Sequence, residues 1–277
     1  MTMKTIMKLI NLSKSAPGAL ALTLLFTLAI ATSGCQGGKA SDGGLAVARA
    51  ADTEDEQRHA APVLFAVFDD KSGSSKSARI TPLREADLQM LIDRVKLSGG
   101  EVAFGLIGDP SDRPLLRLRV PPPPTQPSKP DVQNAFERAE QEALLQERLD
   151  KYAEDLNRWR DDVDSRVNSF MNAARGRLQG PMSGKTSPVY SALGRAELFL
   201  NEPAAVWGEQ PRRFIIMNSD AVDTTKAKPV AIKSAATLML VNGSGSLGVL
   251  ATQHPLQFES VQSALDYIAA AEKGGGK

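Results

Sequence analysis

The chain has 277 residues, 33 Lys and Arg against 32 Asp and Glu, two His and a single Cys. This near-neutral balance argues against a nucleic-acid-binding surface. One cysteine excludes an intramolecular disulfide, and together with two histidines it leaves no zinc set.

The first segment reads as a targeting signal. Lys4, Lys8 and Lys14 form a basic region with no acid before Cys35, and Ala19 to Ala31 is almost wholly apolar. That run is shorter than the roughly 20 residues of a membrane span and fits a secretory leader. It closes on Thr32-Ser33-Gly34-Cys35, which resembles the lipobox of bacterial lipoproteins, with Thr32 where Leu is usual. The resemblance implies a signal peptide over 1–34 and lipidation of Cys35, with several acyl chains for durable anchoring. Gln36 in place of Asp implies the outer membrane, the protein facing the periplasm or the surface. The alternative is that 19–31 stays as an uncleaved anchor. Residues 35–59 run through Gly, Ala, Ser and Asp without apolar periodicity and read as a flexible tether. Without the leader's three lysines, 30 basic residues face 32 acidic ones.

From residue 60 to 277 the pattern predicts one α/β domain. Val63 to Phe68 is an apolar run with the length of a buried strand. It runs into Asp69-Asp70-Lys71-Ser72-Gly73-Ser74. Leu83 to Leu97 reads as a helix stopped by Gly99-Gly100. Glu101 to Ile107 is a second strand, and Asp109 to Asp112 is turn chemistry. Leu115 to Val120 is a third strand, antiparallel to the second because the connection is short. Pro121 to Pro124, Pro127 and Pro130 form a stiff spacer over 121–130.

The helical insertion spans 131–178. Between Asp131 and Ala174 there is no Gly or Pro. Leu145, Leu149, Tyr152, Leu156, Trp159 and Val163 recur at spacings of four and three, a coiled-coil-like seam. One continuous helix of this length would extend about 65 Å; packing along its own domain, or breaking into a hairpin, are the alternatives to a partner-binding stalk. Gly180 to Ser187 reads as a loop, Val189 to Leu200 as a helix and Phe214 to Met217 as a buried strand. Thr237 to Val241 is a further strand, and Phe258 to Ala271 a closing amphipathic helix. The short segment 221–235, containing Pro229, predicts no helix there.

Asp70-x-Ser72-x-Ser74 at a strand's carboxyl end places one carboxylate and two hydroxyls where open parallel sheets bind ligands. A hard anion with small oxygen donors suits Mg²⁺ or Mn²⁺. Ser187 before one helix and Asp220 after another buried strand come in the order that returns to the same sheet edge. These residues resemble the metal-ion-dependent adhesion site of a von Willebrand factor type A domain. The resemblance covers roughly residues 60–273. It implies a Rossmann-like, doubly wound, mostly parallel sheet with one antiparallel edge strand. Asp70, Ser72 and Ser74 match the first ligand loop, Ser187 or its neighbour Thr186 the second, and Asp220 the third. The sequence departs from the family where Ala221 stands in place of the usual Gly after the third-loop Asp. The implied function is non-enzymatic: a membrane-anchored module binding a protein that supplies an acidic residue to Mg²⁺, with Mn²⁺ or Ca²⁺ as alternatives.

Two rivals differ in kind. One is an envelope scaffold that recognises its partner through the long helix and carries a vestigial metal site. The other is an NTPase or hydrolase using the same loops. Gly180 to Thr186 superficially resembles a phosphate loop, but only three residues separate Gly180 from Gly184-Lys185-Thr186, where Walker A needs four. It also follows a polar helix end where that motif needs a buried strand. His59 and His254 read as surface residues.

Overall fold

A computed structural model of the chain describes residues 61–109, 113–128, 135–180, 186–202, 211–242 and 247–274. The leader, Cys35 and the tether lie outside the described residues, as do Lys185 and Trp207. No helix among the described residues is long and apolar enough to cross a membrane.

The core is a six-stranded sheet in the order β3-β2-β1-β4-β5-β6. The strands are β1 (Val63–Asp69), β2 (Gly100–Leu106), β3 (Leu116–Val120), β4 (Arg212–Asn218), β5 (Thr237–Val241) and β6 (Leu256–Phe258). Every pair is parallel except β2 with β3, so the one antiparallel strand stands at an edge, as the short connection predicts. The helices are α1 (Gly73–Ser77), α2 (Glu85–Ser98), α3 (Ala135–Gln179), α4 (Val189–Leu200) and α5 (Val261–Gly274).

β1 is buried along its whole length, and its alternate residues feed two cores because successive strand side chains point to opposite faces. Val63, Phe65 and Val67 pack with Leu88, Leu91, Ile92 and Val95 of α2, with Val163, Val167, Phe170 and Ala174 of α3, and with Val261, Ala264 and Ile268 of α5. Leu64, Ala66 and Phe68 pack on the other face with Val189, Leu193, Ala196 and Leu200 of α4 and with Leu250. The turn into β2 depends on Gly100, whose φ is +144°. A Cβ there would lie 2.0 Å from the Val63 carbonyl oxygen, so no other residue fits.

The predicted helix over 83–97 begins two residues later, because Leu83 enters the core ahead of it. β6, α1 and a 3-10 helix over Gly248–Gln253 are further elements; Phe258, expected in the closing helix, belongs to β6. The segment 221–235 forms no regular helix, as Pro229 predicts. α3 is unbroken for 45 residues, which excludes the hairpin.

β2 lies on one side of β1 and β4 on the other. The chain therefore reverses its winding between β1 and β4, and the carboxyl ends of these two strands flank the crevice where open α/β sheets bind ligands.

Candidate metal centre

β1 and β4 run in register so that Asp69 stands beside Asn218. The Asn218 amide donates to Asp69 Oδ1 at 2.7 Å and to the Thr81 carbonyl at 2.9 Å, and Asn242 after β5 donates to Asn218 Oδ1 at 3.1 Å. Leu83 N also donates to Asp69 Oδ1. This rung fixes the ends of three strands and the return of the chain into α2. Burial pushes the Asp69 carboxyl above the ordinary carboxylate range, against the hydrogen bonds from Asn218 and Leu83.

Asp70 follows in a different setting. Its backbone N–H donates to the Asn218 carbonyl, which anchors the residue at the carboxyl edge of the sheet. Ser72 N donates to Asp70 Oδ1 at 2.9 Å. On Oδ2, Ser187 Oγ donates at 3.0 Å and Ser219 Oγ at 2.6 Å. Ser72 Oγ lies 2.9 Å from Ser74 Oγ and accepts from Ser75 N, capping α1. The oxygens of three segments distant in sequence thus surround one buried carboxylate. Asp70, Ser72, Ser187, Ser219 and Asp220 are all buried, while Ser74 is half-buried at the outer side.

Local chemistry positions the second and third segments. Ser187 precedes Pro188, which favours extended backbone for the residue before it. Ser187 N donates to Thr224 Oγ1 at 2.6 Å, and its carbonyl accepts from Thr224 N. Asp223 accepts from Tyr190 N in the first turn of α4. The 221–225 turn therefore clamps the start of α4, and Ser187 with it. Ser219 Oγ accepts from Ala221 N, and Asp220 Oδ1 accepts from Val222 N at 3.0 Å. Ala221 has φ +56°, a left-handed conformation that glycine adopts more cheaply. The departure from the expected Asp-Gly changes the residue but leaves the turn that glycine would favour.

Between the two alternatives for the second segment, Ser187 reaches Asp70, whereas Thr186 is exposed. Asp220 is drawn onto its own turn, and its neighbour Ser219 makes the contact with Asp70. Ser219 carried no sequence signal beyond a hydroxyl at the end of an apolar strand.

Lys71 was also not legible. Its ammonium donates to the carbonyls of Arg177 at 2.9 Å, Gly180 at 3.2 Å and Leu178. A cation on the free carbonyls of a helix end is favourable, so the Asp70 loop is tied to the carboxyl end of α3. Burial pushes the Lys71 ammonium below its ordinary range, and Asp69 opposes this.

Among the described residues no group of three or more His, Cys, Asp or Glu comes together. The donors around Asp70 are instead hydroxyls with few charges. That set fits a hard divalent ion such as Mg²⁺, which retains waters and takes one or two carboxylates. Set against protein-family models, characterised proteins and solved structures, the chain matches none.

Proposed function

We propose that this chain is a lipid-anchored, divalent-cation-dependent protein-binding module of the von Willebrand factor A type, and not an enzyme. The observation that supports it is the meeting of Ser187 and Ser219 on one oxygen of Asp70, from positions 117 and 149 residues further along the chain. Asp70, Ser72, Ser74 and Ser187 would hold Mg²⁺ or Mn²⁺, with Ser219 beside them and Asp220 acting through water, and Ca²⁺ is the less fitting ion because it asks for more oxygens. The bound ion supplies an electrophilic position that an acidic side chain of a protein partner completes. The chain's own residues orient the site: Asp70 gathers the hydroxyls, Thr224 fixes Ser187, and Asn218 fixes the Asp70 backbone. Ser74, nearest to solvent, marks the side of approach.

The test is a Mn²⁺ titration of the full-length protein followed by electron paramagnetic resonance. Wild type binds saturably; Asp70→Ala loses binding with an unchanged circular dichroism spectrum, and Ser187→Ala weakens it about tenfold. Equal Mn²⁺ affinity in wild type and Asp70→Ala would overturn the reading. Labelled palmitate incorporation that is lost in Cys35→Ser tests the anchor. Nucleotide hydrolysis that falls in Lys185→Ala would replace the binding module by an enzyme.

One observation favours the scaffold reading. Leu145, Leu149, Tyr152 and Leu156 on the first half of α3 are half-buried and belong to neither core cluster, unlike Val163 and the residues after it. Partner binding that survives EDTA but fails in a Leu149→Glu, Leu156→Glu double variant would assign recognition to that stripe.

A further inference from the structure

We propose that the cavity between β3 and α4 binds an organic carboxylate, an apolar body carrying one anionic group that Arg113 and Arg195 receive. The cavity measures about 370 Å³ and is walled by Leu115, Leu198 and Phe199, with Arg113, Arg195 and Glu202 among its polar lining. That size falls in the range of small-ligand sites, which pair apolar walls with a few placed polar groups.

Its charge is unbalanced. Asp109 is buried and accepts from Leu106 N. Three guanidinium groups surround it: Arg113 Nη1 at 2.8 Å, Arg177 Nη1 at 3.5 Å and Arg195 Nη1 at 3.8 Å. Among the described residues, one carboxylate thus serves three cations. Arg177 is further engaged by the Phe104 and Pro114 carbonyls. Arg195 lies over the Phe68 ring, 5.3 Å from its centroid, but has fewer hydrogen bonds. It is only 7% exposed, Nη2 donates to the Leu106 carbonyl, and neither Nε nor Nη1 has a hydrogen-bond partner. An unsatisfied buried donor is costly, more so on a charged group. Burial pushes the Arg177 and Arg195 guanidinium groups below their ordinary range, as expected where counter-charge is short.

Arg113, half-exposed, offers the approaching anion its first contact, and Arg195 lines the same cavity and adds its charge, its unpaired Nε and Nη1 being shielded from solvent. Arg117 completes the polar rim but is already paired with Glu101 and Glu202. Leu198 is 76% exposed, an apolar surface beside cations that a purely inorganic ion would leave uncovered. An anion attached to an apolar body answers both features.

The inference does not depend on the metal reading, and its test is run in EDTA. The full-length protein is titrated with benzoate and followed by NMR, with benzyl alcohol and inorganic phosphate as controls. Benzoate is expected to bind saturably. Arg113→Gln weakens it about tenfold, beyond what its lower melting temperature without ligand explains, since the variant is still folded at the temperature of the titration, and Leu198→Ser weakens it several-fold. Arg195→Lys, which keeps the charge but loses the planar fork, weakens it as well. Absence of saturation, benzyl alcohol or phosphate binding as tightly as benzoate, or full affinity in Arg113→Gln would each overturn the proposal.

Discussion

At the end of β1 two adjacent carboxylates meet different surroundings. Asp70 receives two hydroxyls and a backbone N–H. Asp69 Oδ1 receives Asn218 and Leu83, but its Oδ2 is buried without a hydrogen-bond partner. A carboxyl whose folded pKa is raised stabilises the fold fully below its ordinary value of 3.8. That contribution is lost as pH rises through the folded value. Asn at this position does not titrate and keeps an acceptor for Leu83 N. Asp69→Asn is therefore expected to gain stability relative to wild type as pH rises from about 4 to neutrality. Urea denaturation at two pH values measures the difference, and a gain that shrinks with rising pH would contradict the assignment.

At the scale of elements, α3 is two helices in energetic terms. Its second half buries Val163, Phe170 and Ala174 in the core, and the Trp159 indole donates to the Pro121 carbonyl at 3.0 Å. The first half carries Leu149 outside that core. Phe170→Ala should cost about 3–5 kcal/mol, whereas Leu149→Ala should stay within about 0.5–1 kcal/mol. Chemical denaturation separates the two. The same helix ends on Lys71, and Lys71→Met leaves three half-buried carbonyls without this donor. A loss of about 1–3 kcal/mol is expected, read as a lower denaturation midpoint at unchanged slope.

Across the whole molecule, the proposed ion would join three segments that the chain must first bring together. A ligand that binds only the folded state stabilises it by mass action, about 2.7 kcal/mol at a hundredfold excess over Kd. Mg²⁺ or Mn²⁺ should then raise the melting temperature of wild type and leave Asp70→Ala unmoved. Much of the frame was legible in the sequence. The apolar runs at 63–68, 214–217 and 237–241 are too short and too continuous for surface helices. Gly99-Gly100 and Pro121 punctuate the chain through backbone constraints that act locally. α1, β6 and the 3-10 helix were not legible, because they are only five, three and six residues long and carry no period.

The same division runs through the site. Sequence alone determined that Asp70, Ser72 and Ser74 stand together just after β1, since their spacing is fixed by covalent geometry, and that Ser187 and Asp220 stand near element ends; that Ser72 caps α1 and Ser74 lies in its first turn was not legible. Tertiary structure decided that Ser187 and not Thr186 reaches Asp70, that Ser219 joins it, and that Lys71 holds the end of α3. It also gathered Arg113, Arg177 and Arg195 around Asp109. Local propensity acts over a few residues, whereas these contacts join groups far apart in the chain. Which hydroxyl or guanidinium arrives is set by sheet register and helix packing, and no short window of sequence encodes either.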